Sequence, residues 1–264
     1  MILAPKNLII GSAQFGTKYG VSTKRVTNFY DAKKIFNISK KNNLSGVDTA
    51  YTYFKSNKIL KKIDLKEFKI YTKYPSLSSR TKYEKYYENY TFKTLDDFKK
   101  QQIECVFFHE PMKLLSLNGE IMYDSLIKLK NKKLIKKIGI SVYFKKEIKM
   151  LQKYYDFDVV QVPVNVFDRE FSEVDFLKKL KSQKIEIHAR SIFLQGLLLL
   201  PKKDIPIYFS KWSKFFERWY DYLYDNKISA LEACIEYVKN QKYLDKVVIG
   251  INSSIHLEEI INTL

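Results

Sequence analysis

Three residues of this chain stand where a short apolar run meets a turn, and each can carry a charge or a proton: Asp48 in SGVDTA, Lys73 in FKIYTK and His109 in IECVFFH. An acid, a base and an imidazole are side-chain types that move protons near neutral pH. Ser141, Gln161 and Ser191 close three later runs in the same way. Taken singly, each has an ordinary explanation. A Lys at a strand end reaches solvent, and an Asp after a strand caps the next helix. In succession at the ends of neighbouring strands, they point to one shared site. The three His show no pairing at ligand spacing, so a catalytic metal is not expected.

The elements that would position these residues alternate along the chain. β-branched and aromatic runs predict strands at 7–13, 45–50, 68–73, 103–109, 136–142, 158–163, 185–191 and 246–250. Between them, apolar residues at helical spacing predict helices over 27–43, 56–63, 94–102, 121–134, 145–155, 172–184 and 229–241, with a last one over 254–264. Thr94 and Ser172 each precede an Asp by three residues and read as N-caps. Gly139 and Gly250 fall late in their strands, where backbone could approach a ligand.

Eight strand–helix pairs predict an α/β fold, a (β/α)8 TIM barrel, with 1–264 as one domain. In such a barrel, chemistry gathers at the C-terminal ends of the strands. An open doubly wound sheet fits less well, because no G-x-G-x-x-G follows the first strand; GSAQFG is spaced differently. One interval is long. Between the seventh and eighth strands, the aromatic-rich segment 208–225 predicts an added loop or helix on the catalytic face, serving either as a substrate wall or as packing.

Composition narrows the class. Hydrophobic residues make up 45% of the chain, enough for a sizeable core, and 8 Gly with 6 Pro exclude collagen-like and low-complexity readings. Cys105 and Cys234 lack metal-site spacing and cannot build a disulfide framework; their apolar contexts predict buried thiols. No apolar run approaches the length of a membrane span, and the N-terminal stretch lacks a cleavage site, so a soluble cytoplasmic protein is expected. The net charge of +18 comes mostly from Lys spread along the chain. That favours compositional bias over a nucleic-acid partner, and EKYYENY (84–90) reads as a packed helix face before it reads as a base-stacking surface.

The stretches LIIGSAQFG, GVDTAYTY, YTKYP, VFFHEP, KKIGISVY, DVVQVPVNVFDR, IHARSIFLQGLLL and VVIG-INSS run nearly end to end. Together they resemble the aldo/keto reductase superfamily. The resemblance implies a catalytic set of Asp48, Tyr53, Lys73 and His109, a nicotinamide cofactor and a small carbonyl substrate. Tyr53 would be the general acid, Lys73 the cation that lowers its pKa, Asp48 the partner holding Lys73, and His109 the donor orienting the substrate oxygen. The resemblance further implies that Ser141 and Gln161 hold the carboxamide and that Arg190 takes the stacking position usually held by an aromatic. Ser191, Leu194, Gln195 and Gly196 would run along the pyrophosphate, with Gly250, Asn252 and Ser253 near the adenosine end. Val142 stands where the family often has Asn. The usual basic residues for a 2′-phosphate are missing from GINSSIHLEEI, so NADP is favoured over NAD only by family habit and the basic charge. His256 reads as surface, and His188 as structural. The chain's end at Leu264, just after the last helix, suggests an open mouth and a substrate such as a sugar or a nucleotide-linked sugar. A nucleotide-sensing protein on the same barrel, with little turnover, is the alternative.

Overall fold

Side chains along each strand alternate between two destinations, and that alternation places the site. The computed structural model describes residues 3–21, 26–77 and 83–264. Its strands are β1 (Leu8–Gly11), β2 (Gly46–Asp48), β3 (Lys69–Tyr74), β4 (Ile103–Phe108), β5 (Ile135–Ser141), β6 (Val159–Pro163), β7 (Glu186–Arg190) and β8 (Lys246–Gly250). They pair in parallel, each with the next, and β1 closes on β8 through Ile9↔Val248 and Gly11↔Gly250. The expected closed eight-stranded (β/α)8 barrel is the observed fold.

In β3, Ile70 and Tyr74 join the large apolar cluster shared with the helices, whereas Tyr71 joins a smaller cluster with Ile9, Cys105, Phe107 and Val159 from β1, β4 and β6. The smaller cluster fills the barrel lumen. Lys73 shares the parity of Tyr71 and stands one step nearer the C-terminal rim. The same parity carries Asp48, His109, Ser141, Gln161 and Arg190 to that rim, in the layer above the apolar plug. Gly139 shares this parity too, but it serves packing rather than a ligand. A Cβ there would come within 2.6 Å of the Phe107 ring.

The helices are α1 (Phe29–Lys41), α2 (Phe54–Leu60), α3 (Tyr83–Asp97), α4 (Gly119–Asn131), α5 (Lys145–Leu151), α6 (Val174–Ser182), α7 (Ser213–Asn226), α8 (Ala230–Lys239) and α9 (Ser254–Thr263). Helix α1 shows why they dock. Ala32, Ile35, Phe36 and Ser39 fall on one stripe and are buried, and the Asn28 side chain accepts from the Asp31 amide at 3.0 Å to start the helix.

Two predicted caps fail. Thr94 lies inside α3, where its hydroxyl bonds the Tyr90 carbonyl at 2.7 Å, and α3 begins eleven residues earlier, at Tyr83. Three of its tyrosines face the core: Tyr83 and Tyr87 are buried, and Tyr90 stacks on Tyr51 at 3.7 Å, while Tyr86 is exposed. Ser172 turns back to the Arg169 carbonyl, and Glu173 takes the cap position of α6. Segment 208–225 does form an added helix, α7. Its Phe216 and Trp219 pack on Phe167 of the loop after β6, and Trp219 Nε1 donates to the Leu198 carbonyl at 3.3 Å. No residue of α7 lines the cavity at the C-terminal rim, so packing is its role there.

The opposite end of the barrel is closed by charge. Glu186 begins β7 and accepts from Lys137 Nζ at 2.6 Å and from His188 Nε2 at 3.3 Å. A carboxylate only accepts, so the neutral His188 ring carries its proton on Nε2, leaving the buried Nδ1 without a partner. The His188 bond and then the Lys137 ion pair pull the Glu186 carboxyl down to about 2 from its usual 4.5. A lowered carboxyl stabilises the fold above its unfolded value and loses that contribution as pH falls through the window from 4.5 to about 2. Glu186→Gln is therefore expected to flatten thermal stability against pH in that window, by about 1–2 kcal/mol after discounting for partial exposure. Circular-dichroism melts across the window check this; identical slopes for both proteins would count against it.

Candidate active site

Asp48 ends β2 and Lys73 nearly ends β3, so the parallel pairing of these strands brings the two side chains together below the rim. They form a direct ion pair in which Lys73 Nζ donates to Asp48 Oδ1, and both side chains are buried. The other carboxylate oxygen accepts from Gln161 Nε2 at 2.8 Å. Asp48 is thus held from both sides, and Oε1 of the Gln161 side chain is left for a further donor. Burial pushes the Lys73 ammonium below its ordinary range, while Asp48 pulls the other way.

Tyr53 is placed by a short turn between β2 and α2. Its amide bonds the Ala50 carbonyl at 3.0 Å. Asn57, one turn into α2, pins this turn by donating to the Ala50 carbonyl at 2.9 Å and accepting from the Thr49 hydroxyl at 2.8 Å. The Tyr53 ring meets His109 edge-to-face at 6.2 Å. His109 follows β4, and its amide continues the ladder to the Tyr74 carbonyl at 3.1 Å.

Burial, then the Lys73 charge, lowers the His109 pKa, so its ring is neutral at pH 7. A neutral imidazole has one N–H to donate, which suits the expected orienting role. The Tyr53 phenol departs from expectation: it is raised rather than lowered. Burial dominates, and the Asp48 carboxylate adds to it. The Lys73 charge is answered by Asp48, so the cation that draws Tyr53 downward is Arg190.

Asp48, Tyr53, Lys73 and His109 line one cavity with Ser141, Gln161, Arg190, Ser191, Gln195, Gly196, Gly250 and Asn252. The cavity measures about 200 Å³ and opens at the rim, room for a flat ring and a small carbonyl compound. Two predicted residues lie off this wall. Leu194 packs against the apolar core, and the Ser253 hydroxyl accepts from the His256 amide at 3.2 Å to cap α9. The loop after β7 holds Ser191, Leu194, Gln195 and Gly196 at positive φ, of which only Gly196 adopts it without cost. Gln195 is tied down by the Val21 amide, which bonds its carbonyl at 2.9 Å.

A profile of the aldo/keto reductase family matches residues 7–264. The chain belongs to the aldo/keto reductase family. It is thereby an oxidoreductase enzyme of a family that acts on carbonyl compounds with nicotinamide cofactors. Solved structures agree on the fold. A protein of Pseudomonas aeruginosa assigned to the aldo-keto reductases is 18% identical, with a TM-score of 0.71 over 99% of this chain and 90% of that one. The holo form of aldo-keto reductase AKR11C1 from Bacillus halodurans is 15% identical, with a TM-score of 0.73 over 97% of this chain and 86% of that one. No curated protein matches the chain.

Beside the family pattern, the cavity of this reductase holds residues that strand-end reasoning missed. Tyr19 comes from the loop after β1. Tyr143 follows β5, and its ring lies 4.4 Å from the Arg190 guanidinium carbon. His256, expected at the surface, lines the cavity instead: its ring packs beside Phe193 at 6.0 Å, and its buried Nε2 has no partner. Its position in the first turn of α9, after the cap Ser253, was the available signal. Cys105 and Cys234 are free and buried, as expected, and burial pushes the Cys234 thiol up to about 12. Among the described residues, no helix is long and apolar enough to cross a membrane.

Proposed function

We propose that this chain works as a single barrel unit and reduces an aldehyde or ketone to an alcohol with NAD(P)H, Tyr53 acting as general acid. The observation that carries the reading is the buried Asp48–Lys73 pair sharing one cavity with the Tyr53 and His109 rings. When bound, the cofactor supplies a hydride to the carbonyl carbon.

The residues present fit such a group. Gln161 sits opposite Ser141 in the β5–β6 pairing with its side-chain Oε1 open to a donor, and the Nε atoms of Arg190 and His256 are buried without partners. Ser141 and Gln161 would hold a carboxamide, Arg190 would face the ring, and Ser191, Gln195 and Gly196 would follow the phosphates. Gly250 and Asn252 would flank the far end. Leu194 and Ser253 would support this path from behind, through packing and the α9 cap.

His109 donates to the carbonyl oxygen and orients it. Tyr53 gives that oxygen its proton as the carbon gains the hydride, so the bond order lost from the carbonyl becomes one C–H and one O–H bond. The raised phenol is fully protonated at pH 7, the form a donor needs. Arg190 is the cation available to the phenolate left behind, Lys73 being paired with Asp48.

The substrate is a polyhydroxylated carbonyl compound, a sugar or nucleotide-linked sugar. Support comes from the Tyr19 and Tyr143 side chains, which line the cavity outside the cofactor path. NADP is the cofactor preferred over NAD, since the uncharged His256 Nε2 and the start of α9 offer polar contacts there.

Calorimetric titration with NADPH and NADH, followed by loss of their absorbance with a panel of keto-sugars and aldehydes, tests this. Binding with turnover on sugar carbonyls is expected. Binding without turnover on any carbonyl would favour a sensor, and turnover confined to small aromatic aldehydes would remove the sugar.

A further inference from the structure

We propose that Arg190 makes this cavity select the reduced, uncharged nicotinamide over the oxidised, positively charged one, so that the enzyme fills with reductant and releases spent cofactor readily. This rests on the nicotinamide reading above and adds to it the direction of use.

The cavity wall carries three formally charged side chains among the described residues: Asp48, Lys73 and Arg190. Asp48 and Lys73 are bonded to each other, and their charges sum to zero whichever of them holds the proton. His109 and His256 are both lowered by burial and are uncharged at neutral pH. The guanidinium of Arg190 cannot shed its charge.

Its contacts do not answer that charge. Arg190 donates to the Val142 carbonyl at 3.1 Å and the Ser191 hydroxyl at 3.3 Å, and lies 4.4 Å from the centre of the Tyr143 ring. Its buried Nε bonds nothing. No carboxylate among the described residues is within ion-pairing distance of it. The site therefore has a net charge of one positive unit. The reach of that charge is visible at its neighbours, since Arg190 disfavours the protonated forms of both Lys73 and His109.

The two forms of the cofactor differ only at the nicotinamide ring, which carries an added hydride when reduced and a positive charge when oxidised. A like charge a few ångströms away in a partly buried site costs well over tenfold in affinity, and the Tyr143 face offsets only part of it. Tyr53, once it has given up its proton, would be an anion near the same Arg190 charge that disfavours an oxidised ring. The two effects oppose each other in the chemical step, and the penalty falls on the oxidised cofactor once Tyr53 has taken a proton back from solvent.

Isothermal titration of the purified protein with NADPH, NADP⁺, NADH and NAD⁺ tests this, using wild type, Arg190→Gln and Arg190→Lys, with folding checked by circular dichroism. Wild type is expected to bind the oxidised form at least about tenfold more weakly than the reduced form. Arg190→Gln should shrink that ratio several-fold, and Arg190→Lys, which keeps the charge, should retain most of it. A wild-type ratio near one, or a ratio unchanged in folded Arg190→Gln, overturns the proposal while leaving the nicotinamide site standing. If neither form binds to wild type, the nicotinamide reading itself fails.

Discussion

Tyr53→Phe is expected to lower kcat for carbonyl reduction by about 10²–10⁴-fold while nicotinamide nucleotides bind as before. The substitution removes one oxygen and leaves the ring that meets His109 at 6.2 Å. The turn beneath it stays in place, because Asn57 bridges the Ala50 carbonyl and the Thr49 hydroxyl without touching the phenol. A loss of rate therefore reads the missing proton and not a displaced helix. Steady-state absorbance assays paired with calorimetric titration separate the two. A variant that turns over at the wild-type rate would show that the proton comes from another group.

The second large effect is on stability. Asp48→Ala leaves the Lys73 ammonium buried with only a distant contact to the Thr49 carbonyl, at 3.4 Å, and strips Gln161 of its acceptor. Removing one member of a buried pair costs about 3–5 kcal/mol, because the desolvated charge remains. In a chain of this size the melting temperature should fall by roughly 10 °C. The double variant Asp48→Ala/Lys73→Met removes the stranded charge and should regain most of that loss, yet stay inactive. Thermal melts of the three proteins decide it. Equal melting temperatures for Asp48→Ala and wild type would mean that Lys73 sheds its proton or reaches water, and that the pair does not hold the rim together.

Much of the candidate site was legible because six of the eight strands carried a polar residue near the end of an apolar run. Apolar residues are required wherever a strand is covered on both faces, so Asp48, Lys73, His109 and Gln161 stand out at the one end where the lumen opens. Tyr19, Tyr143 and His256 gave no such signal. They lie in loops and a helix start, where polar residues are ordinary, and nothing local shows that these segments converge. Thr94 misled for a related reason. Its hydroxyl can satisfy a carbonyl within a helix as readily as cap one, and the α3 stretch from Tyr83 is so rich in Tyr and Lys that its apolar stripe is hard to see.

By itself the sequence determined the succession of strands and helices, the class of barrel and the candidates for the proton-handling groups. These follow from local periodicity and from residue type, which a linear chain carries openly. The tertiary structure alone decided how charges add up inside the cavity. Lys73 turned out to be spent on Asp48, Tyr53 to be raised by burial, and Arg190 to be the unanswered cation, resting on Tyr143. Electrostatic energy depends on distance and on exclusion of water, and neither exists until β1 closes against β8 and brings residues from opposite ends of the chain around one space.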